Sequence, residues 1–117
     1  MVEGGTTTGT GTYSTQNGTY TKVGNKVTAH ISLNMSAHTG SGAIRIPLPF
    51  TSTGEAVGVV MDQNFNYSAN AKLVVFTQSQ SFIQFYAVGD NAAWAQQTLA
   101  HDSAFTVFIS ITYRTSA

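Results

Sequence analysis

Three histidines are the residues best suited to metal chemistry: His30, His38 and His101. None stands in a paired spacing such as HxH or HxxxH, and the chain has no cysteine to complete a zinc site with a thiolate. A transition-metal site needs a convergent ligand set, so a single chain is expected to hold no metal and no cofactor. One arrangement between chains stays open. On a three-fold axis, one histidine per copy makes a cluster of three, and His30 or His38 could supply it. His101, Asp102 and Ser103 have the residue types of a hydrolase triad. Neighbours on an extended chain point to opposite faces, whereas a triad must converge. There is also no Gly-x-Ser-x-Gly elbow. The five carboxylates Glu3, Glu55, Asp62, Asp90 and Asp102 are scattered, without the pairing that glycoside hydrolysis requires. Asp62-Gln63-Asn64-Phe65-Asn66 opens like a calcium loop but lacks the glycine and the distal bidentate glutamate. No enzyme is expected.

Trp94 and Tyr67 fall in segments read as loops, where an aromatic ring can stack on a sugar. The competing reading is that they seal an interface or the end of the fold, as aromatics do at interfaces and in cores. No carboxylate or amide cluster is evident around them to fix sugar hydroxyls, which favours the second reading.

Charge is the most unusual property of the composition. Only 9% of residues are charged, against about 25% in ordinary soluble proteins. Five basic and five acidic residues cancel, leaving no field to steer nucleic acid or an anionic membrane. A face for single-stranded nucleic acid would need more cations than these. No apolar run approaches the ~20 residues of a membrane span. Met-Val-Glu-Gly-Gly-Thr lacks the basic region and apolar core of a secretory signal. The expectation is synthesis in a cytoplasm, with release by lysis or assembly. A near-zero net charge favours association between copies. A neutral, Thr-rich secreted binding domain is the alternative.

The elements that must position these residues read as strands. The 117 residues make one domain, with a Gly/Thr-rich arm over residues 1–12 and a folded part over 13–117. The arm, GGTTTGTGT at its centre, is either a disordered tail or an extended arm on a neighbouring subunit. The strongest strand signal is Lys26 to Ser36. Val27, Ala29, Ile31, Leu33 and Met35 alternate with Lys26, Thr28, His30, Ser32, Asn34 and Ser36, which is the two-residue period of a strand buried on one face. Gly24-Asn25 turns the chain into it, and Asn17-Gly18 predicts an earlier hairpin. Further strands are expected at Ala43 to Leu48, ended by Pro47 and Pro49, at Ala56 to Met61, at Lys72 to Gln78 and at Ser81 to Val88. The last runs from Ala104 to Tyr113, with Phe108 on its outward side. Gly58 marks a bulge or a close backbone approach, and Ala92 to Leu99 suggests two helical turns. About eight strands with little helix predict an all-β, antiparallel β-sandwich or jelly roll with a flexible or extended N-terminal arm.

Gly18 to Val27, GTYTKVGNKV, and Ile46-Pro47-Leu48-Pro49-Phe50-Thr51 carry a family resemblance. Together they resemble a module of bacteriophage virion proteins. In it an aromatic-Thr-Lys-aliphatic-Gly hairpin precedes an alternating strand, and an aliphatic-Pro-Phe-Thr segment follows. The match covers about Gly11 to Thr51, and the rest fits only as generic β-sandwich. The resemblance implies a trimeric jelly roll on a virion surface, without catalytic residues. With neither heptads nor a long repeat to form a shaft, a capsid decoration (cement) protein fits better than a tail-fibre head. The implied partners are further copies in a homotrimer and a major capsid protein or other virion proteins. A host surface glycan is the alternative ligand. Nucleic acid and membrane are not expected, and the implied location is the virion. The polar face of the Lys26 strand, with His30, Ser32 and Asn34, together with Phe108, is the expected subunit interface.

Overall fold

A computed structural model of the chain describes residues 2–67, 71–99 and 104–116. It is all-β, and no helix occurs among the described residues. The strands are β1 (Glu3–Gly4), β2 (Gly11–Val23), β3 (Lys26–His38), β4 (Ile44–Pro47), β5 (Glu55–Gln63), β6 (Ala71–Gln78), β7 (Phe82–Gly89), β8 (Ala95–Gln96) and β9 (Phe105–Arg114). They form one antiparallel path, β1-β4-β7-β6-β5-β9-β3-β2, with β8 added to β7. The path curls into a nearly closed, barrel-like sheet around a single core.

Alternation explains which faces meet. Val27, Ala29, Leu33 and Met35 of β3 are buried, as are Phe105, Val107, Ile109, Ile111 and Tyr113 of β9. They pack with Leu73 and Val75 of β6, Ile83 and Phe85 of β7, and Ile44 and Ile46 of β4. Phe65 joins this cluster from the segment after β5, its ring 5.2 Å from Phe85 and 4.7 Å from Phe105.

Strand β5 couples the two halves of the sheet. Glu55 to Gly58 pair with β6, and Val59 to Gln63 pair with β9. The exchange of partner falls at Gly58. A Cβ there would lie 2.6 Å from Val75 Cγ2 and 2.8 Å from both Ile111 Cβ and the Ser110 carbonyl oxygen. The glycine permits a close approach of the two halves.

The sheet stays open along one seam. A cleft of about 360 Å³ separates the Gln16–Tyr20 part of β2 from Ile46, Pro47 and Pro49. Tyr20 stands edge-on to Phe50 with ring centroids 5.3 Å apart, and the Lys22 ammonium lies 5.4 Å from the centre of the same ring. Nearer the N-terminus of β2, the Tyr13 hydroxyl accepts a 2.8 Å hydrogen bond from Val2 N–H.

Three local expectations are corrected. Asn17-Gly18 makes no hairpin: β2 continues through it, with Asn17 opposite Ser32 and Gly18 opposite Ile31. A turn there would leave half of the thirteen-residue β3 without a partner on that side, so only Gly24, at φ +62°, turns the chain. Ala92 to Leu99 is not helical. Two isolated turns are marginal in water, whereas the extended form pairs β8 with Tyr86 and Ala87. It also lets Gln97 N–H donate to Phe85 and Leu99 N–H to Gly42. The N-terminal stretch is extended but lies on its own chain. Val2 is fully buried, β1 pairs with β4, and Gly5 and Thr6 N–H groups donate to Ala43 and Ser41. Val2, rather than the Gly/Thr run, provides the apolar anchor.

Among the described residues, Arg45 Nε is the one buried side-chain nitrogen or oxygen without a hydrogen-bond partner. Thr77 is fully buried; its hydroxyl donates to the Phe82 carbonyl at 3.0 Å and lies 2.9 Å from Ser52 Oγ. Thr77→Val keeps the shape but strips both bonds from a dry site. The expected loss is about 1–3 kcal/mol, to be read from urea unfolding. Tyr113 offers a pH test. Burial pushes its phenol above the ordinary range, only partly offset by the hydrogen bond that Phe50 N–H donates to it. The unfolded phenol then ionises first. Stability is full below about pH 10 and falls as pH rises from there through the folded value. Tyr113→Phe is expected to flatten that alkaline loss in a series of unfolding curves.

Candidate functional site

The outward faces of β2, β3, β9 and β5 form one ruled surface, because opposed residues in an antiparallel ladder share a face. One row runs Thr19, His30, Ser110, Val59; the next runs Asn17, Ser32, Phe108, Met61; a third runs Thr15, Asn34, Thr106, Gln63. None of these twelve residues is an Asp, Glu, Lys or Arg. A shallow groove of about 490 Å³ crosses the first two rows, with His30, Ser32 and Ser110 beside the larger Val59, Met61 and Phe108. The structure therefore places His30, Ser32 and Phe108 around one groove, and Asn34 one row further along.

What the sequence did not single out is the outward side of β5. Val57, Val59 and Met61 are 64%, 74% and 66% exposed, and Phe108 beside Met61 is 47% exposed. The segment Ala56 to Met61 is apolar on both faces, and β5 lies in the middle of the sheet, between β6 and β9. Centrality in the sheet covers its edges, however, and leaves the outward face bare. These four side chains form an exposed apolar patch that a soluble surface does not need.

A second apolar surface lies across β5–β6–β7. Val57, Val74, Phe76, Tyr86, Val88 and Trp94 line a dish of about 180 Å³. Trp94 is 69% exposed, its ring 6.3 Å from Phe76 and 6.5 Å from Tyr86. The Tyr86 hydroxyl is already engaged, accepting from Gln96 Nε2 at 3.3 Å and donating to Gln84 Oε1 at 3.5 Å. Phe82, further along β7, is no part of the dish, and the Arg45 guanidinium sits 4.1 Å from the centre of its ring.

Tyr67 belongs to a different group. Its ring packs 6.3 Å from Phe65, and its hydroxyl donates to Asp62 Oδ1 at 3.4 Å. Burial, then the neighbouring Asp62 charge and the hydrogen bond to it, push this phenol above its ordinary range. Trp94 and Tyr67 thus do not share a stacking platform.

The histidines also separate. His38 Nδ1 accepts from Gly40 N–H at 2.8 Å, so Nε2 carries the proton and donates to the Val2 carbonyl at 2.7 Å. Both ring nitrogens are occupied, Nε2 in holding the N-terminal stretch and Nδ1 in closing the loop at Gly40, which leaves His30 as the exposed histidine of the ruled face. His101, Asp102 and Ser103 lie outside the described residues. Among the described residues, no group of three His, Cys, Asp or Glu could hold a metal ion. No helix among them is long and apolar enough to cross a membrane.

The arrangement is suited to contact, through rows without charge, an exposed apolar patch and an apolar dish. Comparison with protein-family models, with curated proteins and with solved structures finds no match for this chain.

Proposed function

We propose that this chain is a non-enzymatic structural protein of a bacteriophage virion, a decoration (cement) protein that trimerises on the head surface and stabilises the shell. The observation that carries this reading is the exposed apolar patch of Val57, Val59, Met61 and Phe108, the last three among rows without charge. Such a surface is costly to leave in water and carries no like-charge repulsion against another copy. The resemblance of Gly18–Val27 and Ile46–Thr51 to virion modules supports the same reading. A protein bound across capsomer boundaries stabilises the assembled shell by mass action, by about 2.7 kcal/mol per site when its concentration is a hundred times its Kd.

The test is to add the purified protein to shells stripped of surface proteins and measure co-sedimentation and shell melting. Saturable binding with a raised melting temperature is expected. A monodisperse monomer without affinity for shells would sink the proposal.

A glycan-binding head domain is the second reading, and the exposure of Trp94 is what favours it. Its dish offers sugar hydroxyls little to bond, since the Tyr86 hydroxyl is already engaged. That reading expects Trp94→Ala to abolish glycan binding while leaving the oligomer intact.

A further inference from the structure

We infer that the seam between β2 and β4 takes an extended segment of a partner protein, added as a further strand along the free edge of β2. Val23 and Lys26 close a two-residue turn, and from there hydrogen-bonded pairs alternate with non-bonded ones. Asn17, Thr19 and Thr21 therefore bond to β3, while the backbone N–H and C=O groups of Gln16, Gly18 and Tyr20 face the seam. Among the described residues no backbone hydrogen bond reaches them from across it. The opposite wall is unable to supply one. Ala43 accepts from Gly5 N–H on the seam side, whereas the Ile44 and Leu48 N–H groups donate the other way, to Gln97 and Ser81. That alternation turns the nitrogen of Pro47, which carries no hydrogen, toward β2, and Pro49 beyond it has no N–H either. Strand β4 thus does not zip onto β2, and the cleft of about 360 Å³ stays open.

The rest of the same seam shows what fills it. The N-terminal stretch runs extended between β4 and the start of β2, with β1 paired to β4, Val2 N–H bonded to the Tyr13 hydroxyl and the Val2 side chain fully buried. The occupant there is a strand with one apolar side chain. Beside Gly18 the cleft has the same requirements. Ala29, Ile31, Leu33 and Ile46 line it, and Ile31 is only half-buried where Ala29 and Leu33 are each 2% exposed. In antiparallel addition a residue opposite Gly18 shares its face, so its side chain covers Ile31 in the space that the glycine leaves empty. Valine, isoleucine or leucine suits that position. The residues on either side of it point outward beside Asn17 and Thr19, where uncharged polar side chains suffice. Gln16 to Tyr20 spans roughly 17 Å, the length of a five-residue strand. A second copy does not supply such a strand. Every described strand is already paired on at least one edge, and β2 of another copy would bring its own β3 into the place of Pro47 and Pro49. A segment free on both edges comes from another protein.

The experiment adds the capped pentapeptide TTVTT to the isotope-labelled full chain and follows amide shifts and hydrogen exchange by NMR. Saturable shifts are expected at Gln16, Gly18 and Tyr20, with exchange of their amides slowed. The peptide TTTTT is expected to bind about tenfold more weakly, having lost the burial of the central valine. Gly18→Val fills the space with the protein's own side chain and is expected to abolish binding. A Cβ there meets only the His30 carbonyl oxygen, at 3.9 Å, so folding is expected to survive and is checked by circular dichroism. If that variant unfolds, Gln16→Pro, which deletes an edge N–H that the fold does not use, replaces it. No binding at millimolar peptide, equal affinity for TTTTT, or undiminished binding by the variant each overturns the inference. Shifts centred on Val59, Met61 and Phe108 or on the Trp94 dish do so as well. So does slow exchange at Gln16, Gly18 and Tyr20 in the peptide-free chain at concentrations where it self-associates, since a second copy then holds the edge.

Discussion

Gly58→Ala is expected to lower stability by about 3 kcal/mol, and Gly58→Val to prevent folding. The cost is steric. The first added carbon would sit 2.6 Å from a Val75 methyl and 2.8 Å from Ile111 Cβ and the Ser110 carbonyl, well inside van der Waals contact at about 3.5–4.0 Å. Overpacking a tight interior typically costs 1–3 kcal/mol. The upper end applies because one obstructing atom is backbone and cannot swing aside. Gly18 is the control. A Cβ there finds only the His30 carbonyl oxygen, at 3.9 Å, so Gly18→Ala is expected to be neutral or mildly stabilising. Urea unfolding of both variants decides the matter, and equal effects would show that Gly58 is no point of close approach.

The second large effect contrasts two phenylalanines of β9. Phe105 is buried between Phe65 and Phe85, with ring centroids at 4.7 and 6.0 Å. Phe105→Ala removes a full side chain from a packed interior and is expected to cost about 3–5 kcal/mol, enough to unfold a domain of ordinary stability. Phe108 lies three residues on, and the strand period turns it outward beside Met61. Phe108→Ala is expected to leave the monomer's stability within about 0.5 kcal/mol while weakening self-association. Unfolding midpoints measured at a concentration that keeps the chain monomeric, alongside light scattering at higher concentration, separate the two roles.

The charge-poor composition helps to explain why the surface rather than a cleft is the candidate site. Thr, Ser and Asn make the ruled face wettable, but their short side chains leave Val59, Met61 and Phe108 exposed beside them. Long charged side chains, which elsewhere cover apolar surface with their stems, are missing from those rows.

Much of the fold was legible in particular residues. Eleven alternating positions from Lys26 to Ser36 and the alternation of Phe105 to Tyr113 specified two strands and their buried faces, because a side-chain period of two is a local property. Gly58 was likewise visible as a place of close approach or bulge. The Asn17-Gly18 turn and the Ala92–Leu99 helix were misread because local propensity is weak beside tertiary pairing. The partners were β3 in one case and β7 in the other. His38 looked as free as His30 until the fold brought Val2 and Gly40 to its ring. By itself, then, the sequence determined a charge-poor all-β chain and which residues share a face. Only the tertiary structure decided that the outward side of β5 stays bare, with Val57 lining one hollow and Val59 and Met61 another on either side of Gly58. Periodicity records the sidedness of a strand, and whether a side is covered depends on elements distant in the chain.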